Sequence, residues 1–201
     1  MLARLVFGAT IRDAQLYFLS DIPKGANVLI LGGGTGWLLD ALLKLNPHCH
    51  VWYVEASHRM LERTRKKVNI QPTTIVHFIH GTEEMIPSNV RFNAVITNFY
   101  FDLFSRASLQ FVIRRILGSL MPDGKVLVSD FTKTNVWKHR LLLTIMYWFF
   151  KLVCGIESSH LPDWQAELSN AGLDEFKSKK FYRGFIRSSI YSIPQRKGLF
   201  I

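Results

Sequence analysis

Residues 28–36 read VLILGGGTG. Four apolar residues run unbroken into four glycines interrupted by one threonine. An apolar run without polar alternation fits a strand buried on both faces. Glycines then let the backbone turn sharply and come close to another group. Directly beyond, Leu38, Leu39, Leu42, Leu43 and Leu45 recur at helical spacing from Trp37 to Leu45, closed by Asn46-Pro47. A buried strand turning through glycines into an amphipathic helix is half of a βαβ unit. It commits the chain to an alternating α/β architecture.

The rest of the sequence keeps that rhythm. Val51 to Val54 is a second strand, and Ser57 caps a helix reaching about Val68. Thr74 to Ile79 and Ala94 to Thr97 are the third and fourth strands. Ser105 caps a helix over Leu109 to Leu120, which ends at the turn Met121-Pro122-Asp123-Gly124 before a fifth strand, Lys125 to Ser129. Val136 to Val153 reads as one long apolar, aromatic helix, and a second helix opens at Leu161-Pro162-Asp163-Trp164 and closes at Ala171-Gly172. Glu175 to Phe181 and Phe185 to Ile193 form an antiparallel hairpin around Arg183-Gly184. The prediction is a doubly wound, mostly parallel seven-stranded sheet with the last strand antiparallel and helices on both faces. One domain fills 1–201, with a helical lead-in over 1–27 and a helical insertion or lid over 131–173.

Composition narrows the setting. The chain is 48% hydrophobic and 20% charged, ordinary for a globular protein. Cys49 and Cys154 lie far apart with no metal-ligand spacing, so no disulfide framework and no metal site are expected. The N-terminus lacks the long apolar region of a signal peptide. The longest uncharged apolar run, LLLTIMYWFF from Leu141 to Phe150, is half of the roughly 20 residues a membrane span needs. A cytoplasmic protein without a transmembrane span is expected. Net charge is +10, concentrated in Arg59, Arg63, Arg65, Lys66 and Lys67 and in the tail after Glu175. Such a surface could attract nucleic acid, an anionic substrate or an acidic membrane. A solvated helix face and a lysine-guarded sheet edge account for it equally well in principle and more simply.

Glycines between a strand and a helix bring backbone close to a ligand at the helix N-terminus. The partner to seek is an acid ending the second strand, about 20 residues on, that accepts from ribose hydroxyls. Glu55 stands there, 23 residues after Gly32. The dinucleotide pattern GxGxxG fails, because its third position would fall on Trp37 or Leu39; GxGxG fits at Gly32, Gly34 and Gly36.

This pattern, with an acid ending strand two and an antiparallel seventh strand, resembles the class I S-adenosylmethionine-dependent methyltransferases from about Val28 to Ile193. His80-Gly81-Thr82-Glu83-Glu84 is similar to the family's loop after strand three, which holds the adenine edge. FNAVITNF, Phe92 to Phe99, is similar to its fourth strand, beside the methionine part of the cofactor. LMPDGKVLV, Leu120 to Val128, is similar to its turn into strand five. The resemblance implies S-adenosylmethionine as cofactor, held by Gly32, Gly33, Gly34, Gly36, Glu55, Ala56, Thr82, Glu83, Asn98 and Phe99. Two positions depart from the family. Ile30 stands where an acid usually supports the loop or reaches the cofactor's ammonium, and Thr82 stands where Asp is common. Asn98, Asp102 or an N-terminal residue could take over the ammonium.

No catalytic residue is assigned. His139 and His160 could act as bases, and Asp130 could orient substrate or cap a turn. Methyl transfer needs alignment and exclusion of water more than a dedicated residue. Trp137, Tyr147, Trp148, Phe149 and Phe150 suit a small apolar or aromatic acceptor, loosely similar to the quinone-biosynthesis methyltransferases. Packing of that helix on the sheet, a homodimer or a peripheral membrane contact would use the same residues. The rivals are methylation of RNA or protein and a degenerate binding or scaffold protein. Thr97-Asn98-Phe99-Tyr100, unlike an Asn-Pro-Pro-Tyr motif, disfavours nucleic acid.

Overall fold

A computed structural model describes residues 9–132 and 161–194. Its centre is β1 (Asn27–Leu31), with β2 (His50–Glu55) and β3 (Ile75–His80) on one side. On the other side lie β4 (Phe92–Asn98), β5 (Leu120–Phe131), β7 (Ile186–Ser192) and β6 (Asp174–Phe181). The order is β3-β2-β1-β4-β5-β7-β6. β1 to β5 pair in parallel, whereas β7 runs antiparallel to both β5 and β6. The predicted sheet and its one reversed strand are both present.

The unbroken apolar run of β1 has a direct cause. Val28 and Ile30 face one core cluster with Leu38, Leu39 and Leu42 of α2 (Trp37–Leu45) and Leu61 of α3 (His58–Lys67). Leu29 and Leu31 face the opposite cluster with Leu109, Val112, Ile113 and Ile116 of α4 (Arg106–Ser119) and Trp164 and Leu168 of α5 (Trp164–Asn170). Side chains alternate across a strand, so a strand covered on both faces has no polar positions to spare. Each such fully buried aliphatic side chain contributes about 1.5–3 kcal/mol. α1 (Thr10–Leu16) lies over β5 and β7, where Ser129 and Ser188 both donate to the Ala14 carbonyl.

Helix starts follow local chemistry. Ser57 accepts from the Met60 N–H, Ser105 from the Ser108 N–H and Asp163 from the Ala166 N–H. One element differs from expectation. Met121 to Gly124 is not a free turn but part of β5, whose register against β4 shifts between Phe92 and Ala94. Gly124 lies so close to the Phe92 carbonyl that a Cβ would stand 2.8 Å from it, so Met-Pro-Asp-Gly makes a bulge instead of a break. The basic residues of α3 lie on its exposed face, and β6, with Lys177, Lys179 and Lys180, is an exposed sheet edge. No helix among the described residues is long and apolar enough to cross a membrane. The long helix expected over Val136 to Val153, with His139, His160 and the aromatic acceptor-side residues, lies outside the described residues.

Candidate functional site

β1 has β2 on one side and β4 on the other, so strand order reverses beside it. In such a fold the ligand crevice lies there, beyond the carboxyl ends of the strands. Its floor is the glycine loop. Gly32, Gly34 and Gly36 have φ of 64°, 67° and 77°, the left-handed region that glycine enters freely. Three glycines are also needed for space. A Cβ on Gly32 would stand 2.6 Å from the Tyr100 ring, on Gly33 2.1 Å from the Tyr53 ring and on Gly36 2.4 Å from Thr64. A Cβ on Gly34 would meet nothing within 4 Å, so at Gly34 the loop faces open space.

Side chains from β2 and α3 hold this loop. Glu55 accepts from the Gly34 N–H at 2.7 Å through one oxygen and from the Ser57 N–H at 2.7 Å through the other. The Tyr53 hydroxyl donates to the Gly34 carbonyl at 3.0 Å, and the Thr64 hydroxyl lies 3.1 Å from the same oxygen. Burial pushes the Tyr53 hydroxyl up to about 12, so it stays a donor. Ile30 is buried in the core opposite Tyr53, and its apolar side chain can make none of these hydrogen bonds. The missing acid of β1 is thus replaced as a loop support from the neighbouring strand. Glu55 still keeps one acceptor site on each oxygen for ribose hydroxyls.

The far wall comes from β3, β4 and β5. Glu83 accepts from the Tyr100 hydroxyl at 2.8 Å, and burial followed by the Glu83 charge keeps that hydroxyl protonated. Asp130 is fully buried and accepts from the N–H groups of Phe101 (3.0 Å), Asp102 (3.3 Å) and Phe131 (2.7 Å). It fixes the chain after β4, which gives its turn-capping role a definite form. Asp102 is buried beside it, and desolvation pushes both carboxyls upward, with their mutual repulsion adding to the effect on Asp130. Phe99 has a left-handed φ of 51° and its ring lies 4.9 Å from Phe131, which lies 5.0 Å from Phe185. Thr82 and Ala56 are exposed at the rim, where the Ala56 carbonyl meets His80 Nε2 at 2.9 Å.

The ten residues expected from the sequence all stand at or just after the carboxyl ends of β1 to β4. Sequence reading missed Tyr53, Thr64 and Tyr100. Tyr53 was detectable in principle, because it stands two residues before Glu55 on the same face of β2. Thr64 and Tyr100 act only through close approach of distant elements and leave no local signal.

The donor and acceptor set fits S-adenosylmethionine, which carries two positive centres and one carboxylate. Of the buried acids Glu55, Glu83, Asp102, Asp130 and Glu167, the first four stand at the carboxyl ends of the strands, and among the described residues only Glu167 has a basic partner, Arg106. Thr97 Oγ1, Asn98 Nδ2 and Asp102 Oδ1 are buried with no hydrogen-bond partner among the described residues. Unpaired buried polar atoms are costly, so a cluster of them marks a place where something else completes the bonding.

A family model described as a methyltransferase domain matches residues 28–124, from the start of β1 into β5. Over these residues the chain carries a methyltransferase domain. A malonyl-[acyl-carrier protein] O-methyltransferase of Halalkalibacterium halodurans is 32% identical over 124 residues, 60% of this chain and 42% of that protein. The chain thus spans less than half the length of the curated relatives it matches. Among solved structures, the putative methyltransferase in a complex with the Haloferax volcanii Trm112 activator superimposes with a TM-score of 0.72 at 14% identity, covering 96% of this chain and 92% of that one. The glycopeptide N-methyltransferase MtfA, solved with sinefungin, gives a TM-score of 0.64 at 17% identity, over 92% and 94% of the two chains. At such identities the superpositions establish the methyltransferase fold. S-adenosylmethionine is the family's methyl donor.

Proposed function

We propose that this protein transfers the methyl group of S-adenosylmethionine to a small apolar or aromatic acceptor. The bound cofactor supplies an activated methyl on its sulfonium. The chain's own residues bind, orient and exclude water. Glu55 takes the ribose hydroxyls while holding the Gly34 amide, Thr82 and Glu83 border the adenine, and Asn98 faces the amino-acid end. The acceptor is received beyond β4 and β5 by the half-buried Phe99, Ile11 and Leu161, which pack over the buried Phe131 and Phe185. That apolar patch, at the end of the sheet where four buried acids have no basic partner among the described residues, is the single observation that carries this reading. A dry wall shields the reacting centre and favours a ring or hydrocarbon. The relatives' name concerns O-methylation, which makes oxygen the first acceptor atom to test. An acceptor oxygen already anionic needs no general base.

The test is transfer of labelled methyl from S-adenosylmethionine to a panel of hydroxylated aromatic and carboxylic-acid acceptors, with RNA and protein as comparison acceptors. Labelling of an apolar small molecule is expected. Labelling of RNA or protein alone would replace the acceptor class. Ile30 and Thr82 favour a second reading, a scaffold without catalysis, which predicts no labelling and no cofactor binding.

A further inference from the structure

Four buried acids stand at the carboxyl ends of the strands, and three are already committed. Glu55 spends an acceptor site of each oxygen on the glycine loop and on Ser57. Glu83 takes the Tyr100 hydroxyl. Asp130 takes three backbone N–H groups. Asp102 is different. It is 7% exposed, and among the described residues its buried Oδ1 has no partner and no base pairs with it. Asp130 lies close enough that the Asp102 charge repels its carboxylate. A carboxylate in this position is strongly disfavoured unless a cation joins it.

Its location suits the cofactor. Leu31 of β1 stands opposite Thr97 of β4, so Asn98 is level with Gly32, and the Tyr100 ring lies on Gly32. Asp102 follows on the short 3-10 turn Phe101–Leu103, which Asp130 pins in place. Close by in sequence, Asn98 Nδ2 is an orphan donor. An unpartnered acceptor and an unpartnered donor in one crevice match a zwitterionic α-amino acid group. Ile30 offers the ammonium nothing, being buried in the core.

We infer that Asp102 seats the ammonium of the cofactor's amino-acid end, with Asn98 donating to its carboxylate. The assignment rests on the cofactor reading above. Asp130 is then a positioning residue, holding the turn that carries Asp102.

The experiment is calorimetric titration of the full chain with S-adenosylhomocysteine and with its deaminated analogue, which lacks only the ammonium. A charged hydrogen bond of about 1.5–3 kcal/mol corresponds to about tenfold or more in affinity. The wild-type chain should therefore prefer S-adenosylhomocysteine by at least about tenfold. Asp102→Asn should weaken S-adenosylhomocysteine by that factor and leave the analogue within about threefold, removing the preference. Without ligand, Asp102→Asn should unfold no earlier than wild type, because it removes a repelled buried charge. Equal affinity of the wild-type chain for both ligands overturns the assignment without any variant. Equal weakening of both ligands by Asp102→Asn also overturns it. Failure of the wild-type chain to bind either ligand removes the cofactor reading itself, and the assignment with it.

Discussion

Gly33 and Gly34 are neighbours in the loop, yet a methyl group on each fails for a different reason. On Gly33 it strikes the Tyr53 ring, whereas on Gly34 it meets open space but forces alanine into a φ of 67°. Left-handed backbone costs a non-glycine residue about 1–2 kcal/mol. Gly34→Ala should lower stability by about that much, and Gly33→Ala by more, since Tyr53 or the loop has to move. Denaturant unfolding of the two variants checks the ranking. S-adenosylhomocysteine binding adds a second readout, because Gly34→Ala should lose affinity out of proportion to its stability loss. The Tyr53 hydroxyl makes a smaller contribution. Tyr53→Phe leaves the Gly34 carbonyl to Thr64, so a loss of about 1 kcal/mol is expected from the same unfolding measurement.

At the level of elements, the turn after β4 couples stability to pH. Burial raises the Asp102 carboxyl to about 7, and repulsion from Asp102 also raises Asp130. A carboxyl raised in the folded state contributes stability that is present below its unfolded pKa and is lost as pH rises through the folded value. From the ordinary carboxylate range up to about pH 7, this pair makes the ligand-free chain less stable as pH rises. Glu167 and Glu175 are lowered and act in the opposite sense, so the pair is isolated by difference. The stability gain of Asp102→Asn over wild type should be larger at pH 8 than at pH 5 in urea unfolding. A gain that is the same at both pH values would contradict the assignment of the pair. Elements with local signals were legible beforehand. The β1 run and the helix caps at Ser57 and Ser105 were placed correctly because propensity and hydrogen bonding agree there. The Met121–Gly124 bulge was misjudged, since Pro-Asp-Gly favours a turn locally and only pairing with Phe92 keeps it in the strand.

For the whole molecule, sheet order and the switch point followed from alternation of strands and helices, and the crevice followed from the switch point. Its rim residues were legible because they end strands in sequence. Its interior was not. The replacement of the β1 acid by Glu55, Tyr53 and Thr64, and the isolation of Asp102, depend on which strands become neighbours. A chain with net charge +10 nonetheless gathers, among the described residues, the buried acids that lack a basic partner at one end of the sheet. That placement is the central reason to expect a cationic ligand there.

The measurement that tests this most directly is thermal unfolding of the full chain with S-adenosylmethionine, with S-adenosylhomocysteine and with NAD. A ligand at 100 times its Kd adds about 2.7 kcal/mol, which raises the midpoint by a few degrees for a domain of this size. The account predicts a rise with the two sulfur ligands and none with NAD, where Trp37 and Leu39 break the dinucleotide pattern. No rise with either sulfur ligand, in a chain that unfolds cooperatively, would contradict it.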